Sequence, residues 1–311
     1  MLQTLSVCLA VCVVLAPTAV VATTIRVPDH EPTIQAGVNA ATPGDTVLVA
    51  CGTYYEHDII ISEPDIWVRS DTGNPDCVTI DAQGLGWVFR YGISYSGGIE
   101  GFTITGGHAN NGGGIQCYES EATLMNLRIT GNVADSSGGG VYCFDCSPDI
   151  IGCVFDGNTA DEGGGLYCDD WSSPSITNAT FYSNDAPSGS AVYVYWQSHP
   201  TFENTIMAFN TGGEAVACGE LADAMLTCCD VFGNPGGDWA GCIAGQSGVN
   251  GNFSADPLFC DPATGDLTIA NVSPCAPPNN SCGVLIGALG VGCTWAPVEL
   301  RSWGSMKTMF R

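Results

Sequence analysis

The chain has 311 residues and a formal net charge of −25, because 32 acidic side chains stand against only 7 lysines and arginines. This imbalance excludes nucleic acid and anionic membranes as partners, since no basic surface is present to neutralise phosphate groups. The length is ample for one elongated domain, and no internal apolar run is long enough to cross a membrane. Strong negative charge is typical of a soluble, mutually repelling surface.

Residues 1–22 are predicted to be an export signal. An apolar run covers residues 7–14, and the small residues at 20–22 precede a cleavage site at Thr23. The segment has no Lys or Arg, which departs from the usual signal pattern. A lipoprotein signal at residues 9–12 is an alternative. Either reading predicts a secreted or cell-surface protein, and the mature chain is expected to have no transmembrane segment.

Residues 23–56 are predicted to form an N-terminal cap with the order strand, helix, strand. The helix is expected over Pro32 to Ala41, with Ile34 and Val38 on one face, and Pro43-Gly44-Asp45 turns the chain into the second strand. The first coil of a solenoid exposes an unpaired edge and an open core, so a capping helix is physically required there.

Residues 57–234 are predicted to form coils, irregular at first and then regular. Five similar sequence segments each end in asparagine, with intervals of 26, 26, 26 and 24 residues. These asparagines are Asn132, Asn158, Asn184, Asn210 and Asn234. A fixed period in this range is typical of a solenoid, in which each repeat stacks on its neighbour.

The repeat is predicted to be built from strands. Met125, Leu127 and Ile129 alternate with polar residues at a period of two, so we expect this set to point inward. Shifting by the period predicts an inward column of Ile129, Phe155, Phe181, Met207 and Val231. The glycine blocks lead into further inward columns of Ile115, Val141, Leu166 and Val192, and of Cys117, Cys143, Cys168 and Val194. Equivalent residues would lie about 4.8 Å apart, which defines an all-β parallel β-helix.

The repeated asparagines and glycines are interpreted as structural. Asparagine tolerates a left-handed backbone, and its amide can hydrogen-bond to the equivalent asparagine one coil away. Glycine suits a second corner where positive φ or close backbone approach is needed. The inward Cys117, Cys143 and Cys168 are expected to be buried packing rather than a metal site, since no histidine shares their column.

Residues 235–295 are rich in Pro, Gly and Cys, and are predicted to form a disulfide-rich C-terminal cap on the far end of the solenoid. Residues 296–311 are predicted to be a tail or linker. This tail resembles a connector that, in longer surface proteins, precedes a C-terminal sorting module.

The cysteine content agrees with export. Of 17 cysteines, two lie in residues 1–22 and 15 follow, a density typical of an oxidising compartment. We predict the bridges Cys51–Cys77 and Cys275–Cys282. A further bridge is expected among Cys229, Cys242, Cys260 and Cys293, and the odd count leaves at least one free thiol.

Two patterns resemble known families. TIQAGVNAA at 33–41, followed by GDTVLVACGTYYE at 44–56, resembles the opening of secreted proteins with the single-stranded, right-handed, pectin-lyase-like β-helix fold, pectin methylesterases included. FDGN at 155–158 with EGGGLY at 162–167 resembles the repeats of polymorphic outer membrane proteins. Together the resemblances cover residues 24–234 and imply a right-handed β-helix.

The resemblance also implies a search for polysaccharide-cleaving chemistry. Lyases of this fold use a basic residue to remove a proton beside a uronate, often with Ca²⁺. Arg128 is the only Lys or Arg between residues 100 and 300, and of the polygalacturonase pattern only Asp169-Asp170 is present. If the chain is an enzyme, the candidate catalytic residues are Arg128, Asp145, Asp169 and Asp170.

Two pairs of acidic residues are candidates for close approach. The period places Asp135 beside Asp161 and Asp145 beside Asp170. Carboxylates at strand spacing raise one another's pKa or recruit a cation, and about 5 Å is the separation that retaining glycosidases use. We predict a Ca²⁺ site at Asp135 and Asp161 with Glu162 nearby, the alternative being a solvated acidic turn.

A file of aromatic residues is the candidate ligand-binding surface. Tyr142, Tyr167 and Tyr193 alternate with the inward cysteines and are expected to project outward, with Trp171 and Trp196 close by. Exposed rings stack on sugars or bind protein partners. The alternative is ring-on-ring packing that covers the sheet.

Two classes of function remain open. The first is an exported, non-catalytic scaffold or adhesin that contacts polysaccharide or a surface protein. The second is a polysaccharide lyase or glycoside hydrolase that acts on an acidic polysaccharide. The scarcity of Lys and Arg favours the first.

Overall fold

A computed structural model describes residues 22–92 and 96–294. The predicted signal peptide, except Ala22, and the predicted tail at 296–311 lie outside these residues. The described chain is a parallel β-solenoid whose three long sheets run along its axis. Within the described ranges no helix is long and apolar enough to cross a bilayer.

Three parallel sheets form the walls of the solenoid. Sheet A contains Thr24–Val27, Thr46–Val49, Ile66–Ser70, Gly97–Glu100, Thr123–Met125, Asp149–Ile151, Ser175–Thr177, Thr201–Glu203 and Met225–Thr227. Sheet B contains Gly52–Tyr54, Val78–Asp81, Thr103–Thr105, Arg128–Thr130, Val154–Asp156, Thr180–Tyr182, Ile206–Ala208 and Asp230–Phe232. Sheet C contains Ile59–Ile61, Phe89–Tyr91, Ile115–Tyr118, Val141–Phe144, Leu166–Asp169, Val192–Val194 and Val216–Cys218.

Shorter elements join and close these sheets. His108–Asn111 pairs with Val133–Ser137, and Asp185–Ala186 pairs with Thr211–Gly212. One α-helix covers Ile34–Ala40, and the 3₁₀ helices cover Gly241–Gln246, Pro262–Thr264 and Pro277–Asn279. A three-stranded sheet near the C-terminus contains Phe259–Asp261, Asp266–Ala270 and Val291–Cys293.

The predicted inward columns are confirmed. Phe155 pairs in register with Ile129 and Phe181, and all three side chains are fully buried. The Phe155 and Phe181 rings stack with their centroids 4.3 Å apart and an interplanar angle of 7°. Cys117, Cys143 and Cys168 are register partners in sheet C and are likewise buried. The core is therefore one continuous apolar column that no single coil could form alone.

One detail of the predicted alternation is wrong. Met125 faces outward at the end of a sheet A strand, and Leu124 points inward instead. The reason is a left-handed backbone at Asn126, where φ is 50°, which bends the chain between sheets A and B. The predicted single strand is thus two strands with a corner between them, and the inward alternation restarts at Leu127.

The asparagines that end each repeat form an asparagine ladder: Asn132, Asn158, Asn184, Asn210 and Asn234. In each member the backbone N–H and the side-chain Nδ2 both donate to Oδ1 of the next, as in Asn184 to Asn210 at 3.0 and 2.9 Å. At the last member the acceptor is the carboxylate of Asp238, 2.8 Å from both donors of Asn234. The predicted amide contacts are confirmed, but the left-handed residue is the one before each asparagine, such as Gly157 with φ 63°.

The N-terminal cap forms as predicted, slightly shorter than expected. Thr33 caps the helix by accepting a hydrogen bond from the backbone N–H of Ala36, so the helix begins at Ile34 rather than at Pro32. Ile34 and Val38 are buried against the first coils. The helix therefore closes the open end of the core, as the solenoid requires.

The C-terminal segment only partly behaves as an end cap. The 3₁₀ helix Gly241–Gln246 covers the last coil and inserts Ile243 into the core. From about residue 253 onward the chain runs back along the outer face of sheet B, where Leu267, Ile269 and Ile286 pack on Val154 and Ile206. Outward apolar side chains on sheet B need this cover, which residues 235–294 provide along the side of the solenoid as well as at its end.

Four disulfides are present in the described residues. Cys51–Cys77 is confirmed, and Cys260–Cys293 is the bridge expected among the four C-terminal candidates. The predicted Cys275–Cys282 bridge is wrong, because Cys282 pairs with Cys228 and Cys275 is a buried thiol. Cys218–Cys242 completes the set. Cys282 thus pairs with a residue 54 positions away in the sequence and not with its sequence neighbour Cys275.

Candidate functional site

The outer face of sheet C carries an aromatic stack, formed by Tyr118, Tyr142, Tyr167 and Tyr193. Tyr142, Tyr167 and Tyr193 occupy equivalent positions in consecutive strands. Ring centroids are 5.6 Å apart from Tyr142 to Tyr167 and 5.1 Å from Tyr167 to Tyr193. The coil spacing sets these distances, so the stack is a direct result of the sequence repeat.

The expected exposure of this file is wrong for two of its rings. Tyr142 and Tyr167 are only 6% and 5% exposed, because each ring is covered by its neighbours, and Tyr193 is half-buried. Exposed aromatic surface lies instead at the adjacent turn, where Trp171 and Trp196 are 60% and 38% exposed. The backbone N–H of Trp171 donates to the backbone carbonyl of Trp196, so the two residues belong to consecutive coils.

Carboxylates line the same turn of the solenoid, at the end of the sheet C strands. We name Glu119, Asp145 and Asp170 the acidic turn; all three have positive φ, between 44° and 47°. The backbone N–H of Glu119 donates to the Phe144 carbonyl and that of Asp145 to the Asp169 carbonyl. Asp145 and Asp170 are therefore in equivalent positions of consecutive coils, as the period predicts.

Asp169 is the carboxylate most affected by its surroundings. Its carboxylate accepts a hydrogen bond from the Tyr142 hydroxyl at 2.8 Å. Partial burial raises the pKa of Asp169, and the neighbouring Asp170 carboxylate raises it further. The same Asp169 contact, together with burial, raises the pKa of the Tyr142 hydroxyl. Asp169 is therefore easier to protonate than an isolated carboxyl group.

A cavity of about 530 Å³ opens beside the acidic turn. Its lining includes Glu119, Glu121, Asp145, Cys146 and Trp171. Sequence reasoning identified Asp145 and Trp171 but missed the two glutamates and Cys146. Glu119 could have been found from the period, because it precedes Asp145 by 26 residues.

Arg128 lies on a different sheet and does not join these carboxylates. Its guanidinium donates to the Asp156 carboxylate and to the Gly265 carbonyl, both at 3.0 Å. It borders a second cavity, of about 570 Å³, between sheet B and the C-terminal segment. The structure therefore places Arg128 apart from Asp145, Asp169 and Asp170, which the sequence offered as an alternative set of catalytic residues.

The residues predicted to bind Ca²⁺ do not form a recognisable metal centre. The Asp135 carboxylate lies 2.9 Å from Nε2 of His108, within hydrogen-bond distance. The register changes between the pairs Val133 with Thr159 and Ser137 with Glu162, so the constant period that placed Asp135 beside Asp161 does not hold here. Across residues 22–92 and 96–294 no group of three or more His, Cys, Asp or Glu side chains is arranged to hold a metal. Ca²⁺ binding stays a prediction, which calorimetric titration with calcium chloride would test.

The comparison with protein families agrees with this architecture. Residues 85–254 match the model of the family described as right handed beta helix region. Among solved structures, the crystal structure of pectate lyase Pel9A is similar at 12% identity and a TM-score of 0.44, covering 68% of this chain and 63% of the lyase. This chain thus spans less than two thirds of the lyase. No curated protein is significantly similar in sequence.

The family match covers more than half of the chain. The chain therefore belongs to the right-handed β-helix family. This confirms the right-handed β-helix that the sequence resemblance implied. The four disulfides are typical of proteins from oxidising, extracellular compartments.

Proposed function

We propose that this chain is an exported, non-catalytic β-helix protein that acts as an extracellular or cell-surface scaffold or adhesin. Its ligand would be a glycan, bound at the turn that carries Trp171 and Trp196. The disulfides and the predicted signal peptide support export. Arg128 supports a non-catalytic role, because its guanidinium is engaged by the Asp156 carboxylate and the Gly265 carbonyl rather than directed at the carboxylates of the acidic turn.

The single observation that carries this proposal is the pair of exposed indoles in consecutive coils. Large exposed rings that lie beside polar groups are suited to stacking on the apolar faces of sugars. The buried aromatic stack next to them is rigid, and a preorganised surface loses little entropy when a ligand binds. Neighbouring carboxylates of the acidic turn can accept hydrogen bonds from sugar hydroxyls.

The charge of the protein indicates which glycans would bind. A net charge of −25, together with the acidic turn, repels uronate-rich polymers. Neutral polysaccharides carry no such penalty. We therefore expect neutral glycans to bind more tightly than acidic ones, with the difference shrinking at high salt.

The test is the affinity of the full chain for a panel of neutral and acidic polysaccharides, measured by calorimetry and affinity electrophoresis. Replacing both indoles, Trp171→Ala with Trp196→Ala, should weaken binding at least about tenfold, equal to about 1.4 kcal/mol. The matched control is Tyr55→Ala, an aromatic residue 65% exposed in the N-terminal region. If the control weakens binding equally, or if no neutral glycan binds, the proposal fails.

A second candidate function is glycoside hydrolysis at the cavity beside the acidic turn. It is favoured by one observation: Glu119, Glu121 and Asp145 line this cavity. Asp169, whose pKa is raised by partial burial, lies next to Asp145, because its backbone carbonyl accepts a hydrogen bond from the Asp145 N–H. Release of reducing ends from polysaccharides would reveal this activity. It should disappear in Asp169→Asn and Asp145→Asn, whereas Arg128→Ala should leave it intact.

A lyase reaction would give the opposite result with the Arg128 variant. Formation of unsaturated product, followed by ultraviolet absorbance, would have to depend on Arg128. If Arg128→Ala abolishes such an activity, both the scaffold proposal and the hydrolase alternative are wrong.

A further inference from the structure

Three thiols meet inside the solenoid next to the acidic turn, and we name Cys117, Cys143 and Cys146 the thiol cluster. Cys117 and Cys143 are register partners in sheet C and have no exposed surface. Cys146 follows the left-handed Asp145, which turns its side chain back toward the core, and its Sγ lies 3.4 Å from the Cys117 carbonyl oxygen. All three are free thiols in the structure.

Only Cys146 can be reached from outside. It is 4% exposed and lines the cavity of about 530 Å³ beside the acidic turn. Cys117 and Cys143 lie behind it in the core. The cluster therefore has one thiol at a cavity wall and two buried thiols behind it.

The surroundings of Cys146 favour its thiolate. Interaction with the Cys117 and Cys143 thiols lowers the pKa of Cys146 to about 5, and the backbone at Phe144 and the Ser172 hydroxyl add to this effect. The thiols of Cys117 and Cys143 have raised pKa values and remain protonated donors. A thiolate is the nucleophile in disulfide exchange, whereas a buried protonated thiol can attack only as it gives up its proton.

A bridge between consecutive coils is already present elsewhere in this molecule. Cys51–Cys77 joins consecutive coils across 26 residues, and Cys218–Cys242 ties the last coil to the 3₁₀ helix that covers it, with Cα atoms 4.7 and 6.0 Å apart. Between residues 78 and 217, by contrast, the described chain has five free thiols and no disulfide. Cys117 and Cys146 belong to consecutive coils in this unbridged stretch.

We propose that the thiol cluster is a thiol–disulfide exchange site, in which Cys146 reacts with a small external disulfide and Cys117 closes a bridge between two central coils. The Cys146 thiolate attacks one sulfur of the external disulfide and forms a mixed disulfide, while the other half leaves as a thiolate. Cys117 then attacks Sγ of Cys146, the second half leaves, and the proton of Cys117 passes to it. Two protein thiols are oxidised and one external disulfide is reduced to two thiols.

The cavity selects the charge of the external disulfide. Glu119, Glu121 and Asp145 face it, and no basic residue is among the described residues that line it. An anionic disulfide is repelled by these carboxylates, whereas a cationic one is concentrated there. Small amine-bearing disulfides are therefore the expected reactants.

The experiment uses the full chain, treated under native conditions with a mild phosphine and then exposed to cystamine or to the dianionic dithiodiglycolate. Mass spectrometry of non-reduced peptides follows the products. Cystamine should react at Cys146 at least about tenfold faster than dithiodiglycolate, and the final product should be a Cys117–Cys146 bridge. Isolation of the untreated protein with that bridge already closed would also support the proposal.

Three variants assign the roles. Cys146→Ser should abolish reaction in the cluster, Cys117→Ser should trap the mixed disulfide on Cys146, and Cys143→Ser should still close the bridge. Cys229, a buried thiol outside the cluster, is the internal control in every sample. The proposal is overturned if Cys146 of the unsubstituted protein reacts no faster than Cys229. It is equally overturned if the two disulfides react at the same rate, or if closure needs Cys143 instead of Cys117.

Discussion

The central coils and the C-terminal segment, residues 235–294, are stabilised in contrasting ways. The central coils repeat the same contacts from one coil to the next, through the asparagine ladder and the Phe155–Phe181 stack. The C-terminal segment repeats nothing, and three of the four disulfides tie it down or lie within it. Regular stacking multiplies weak interactions, whereas an irregular segment with a small core needs covalent ties.

The largest expected effect is in the core of the central coils. Phe181→Ala removes a fully buried ring that stacks on Phe155 at 4.3 Å, and should lower the free energy of unfolding by about 3–5 kcal/mol. Chemical denaturation would measure the loss. Phe181→Leu fills most of the space and should cost clearly less; an equal cost for both variants would show that ring stacking rather than volume dominates.

The asparagine ladder should come next. Asn184→Ala removes the acceptor for Asn158 and the donor for the Phe155 carbonyl, leaving buried polar groups without partners. We expect a loss of about 2–4 kcal/mol, since each unsatisfied buried group costs about 1–3 kcal/mol. Ser175→Ala, at an exposed site in the same coil, is the control and should change stability by less than about 0.5 kcal/mol. If Asn184→Ala left the free energy of unfolding unchanged, the ladder would add specificity to the fold without adding stability.

The C-terminal segment should respond to loss of its longest bridge. Replacing Cys228 and Cys282 by serine opens a loop of 54 residues, and should destabilise the segment by about 2–4 kcal/mol. Hydrogen exchange should quicken in residues 251–294 while the central coils keep their protection. Faster exchange throughout the central coils would show that the two regions unfold together, and the contrast between them would not hold.

The last effect is a pH dependence of the contact between the two regions, which is small over any single pH unit. Asp230 is fully buried under the C-terminal segment, where it accepts hydrogen bonds from Ala255 N–H and from the Cys275 thiol. Burial raises the pKa of Asp230 from 3.8 to about 7. The folded protein therefore binds this proton more tightly than the unfolded chain does, and the associated stability is greatest below pH about 4 and is lost as the pH rises to about 7.

The size of this dependence is at most about 1.4 kcal/mol for each pH unit in that window. Because other groups also titrate, the measured quantity is the difference between the original protein and Asp230→Asn in denaturation curves from pH about 4 to 8. Parallel pH profiles for the two proteins would contradict the raised pKa.

The sequence predicts the central coils well, for a physical reason. A residue such as Phe155 has its neighbour fixed by the period, so its inward direction and its contact with Phe181 follow from counting alone. The period fails where the register changes, as at Asp135 and Asp161, or where a left-handed residue such as Asn126 reverses the alternation.

The C-terminal segment shows the limit of such reasoning. Nothing in the sequence repeats between Cys228 and Cys282, so their bridge depends on how the segment folds back along sheet B. The engagement of Arg128 by the Gly265 carbonyl, 137 residues away, is equally beyond a local pattern. The aromatic stack was only partly predictable from the sequence. The period fixes the spacing of its rings, but their burial depends on the orientation of each ring.

The asparagine ladder ties each coil to both of its neighbours. Each side-chain amide donates one N–H to Oδ1 of the next ladder member and the other to a backbone carbonyl of the preceding coil, as Asn184 does to Asn210 and to Phe155. At Asn234 the acceptor is the Asp238 carboxylate instead of another asparagine. A coil can therefore be inserted within the column without a new kind of partner, whereas the final position requires a separate acceptor, which sets where such an array can stop.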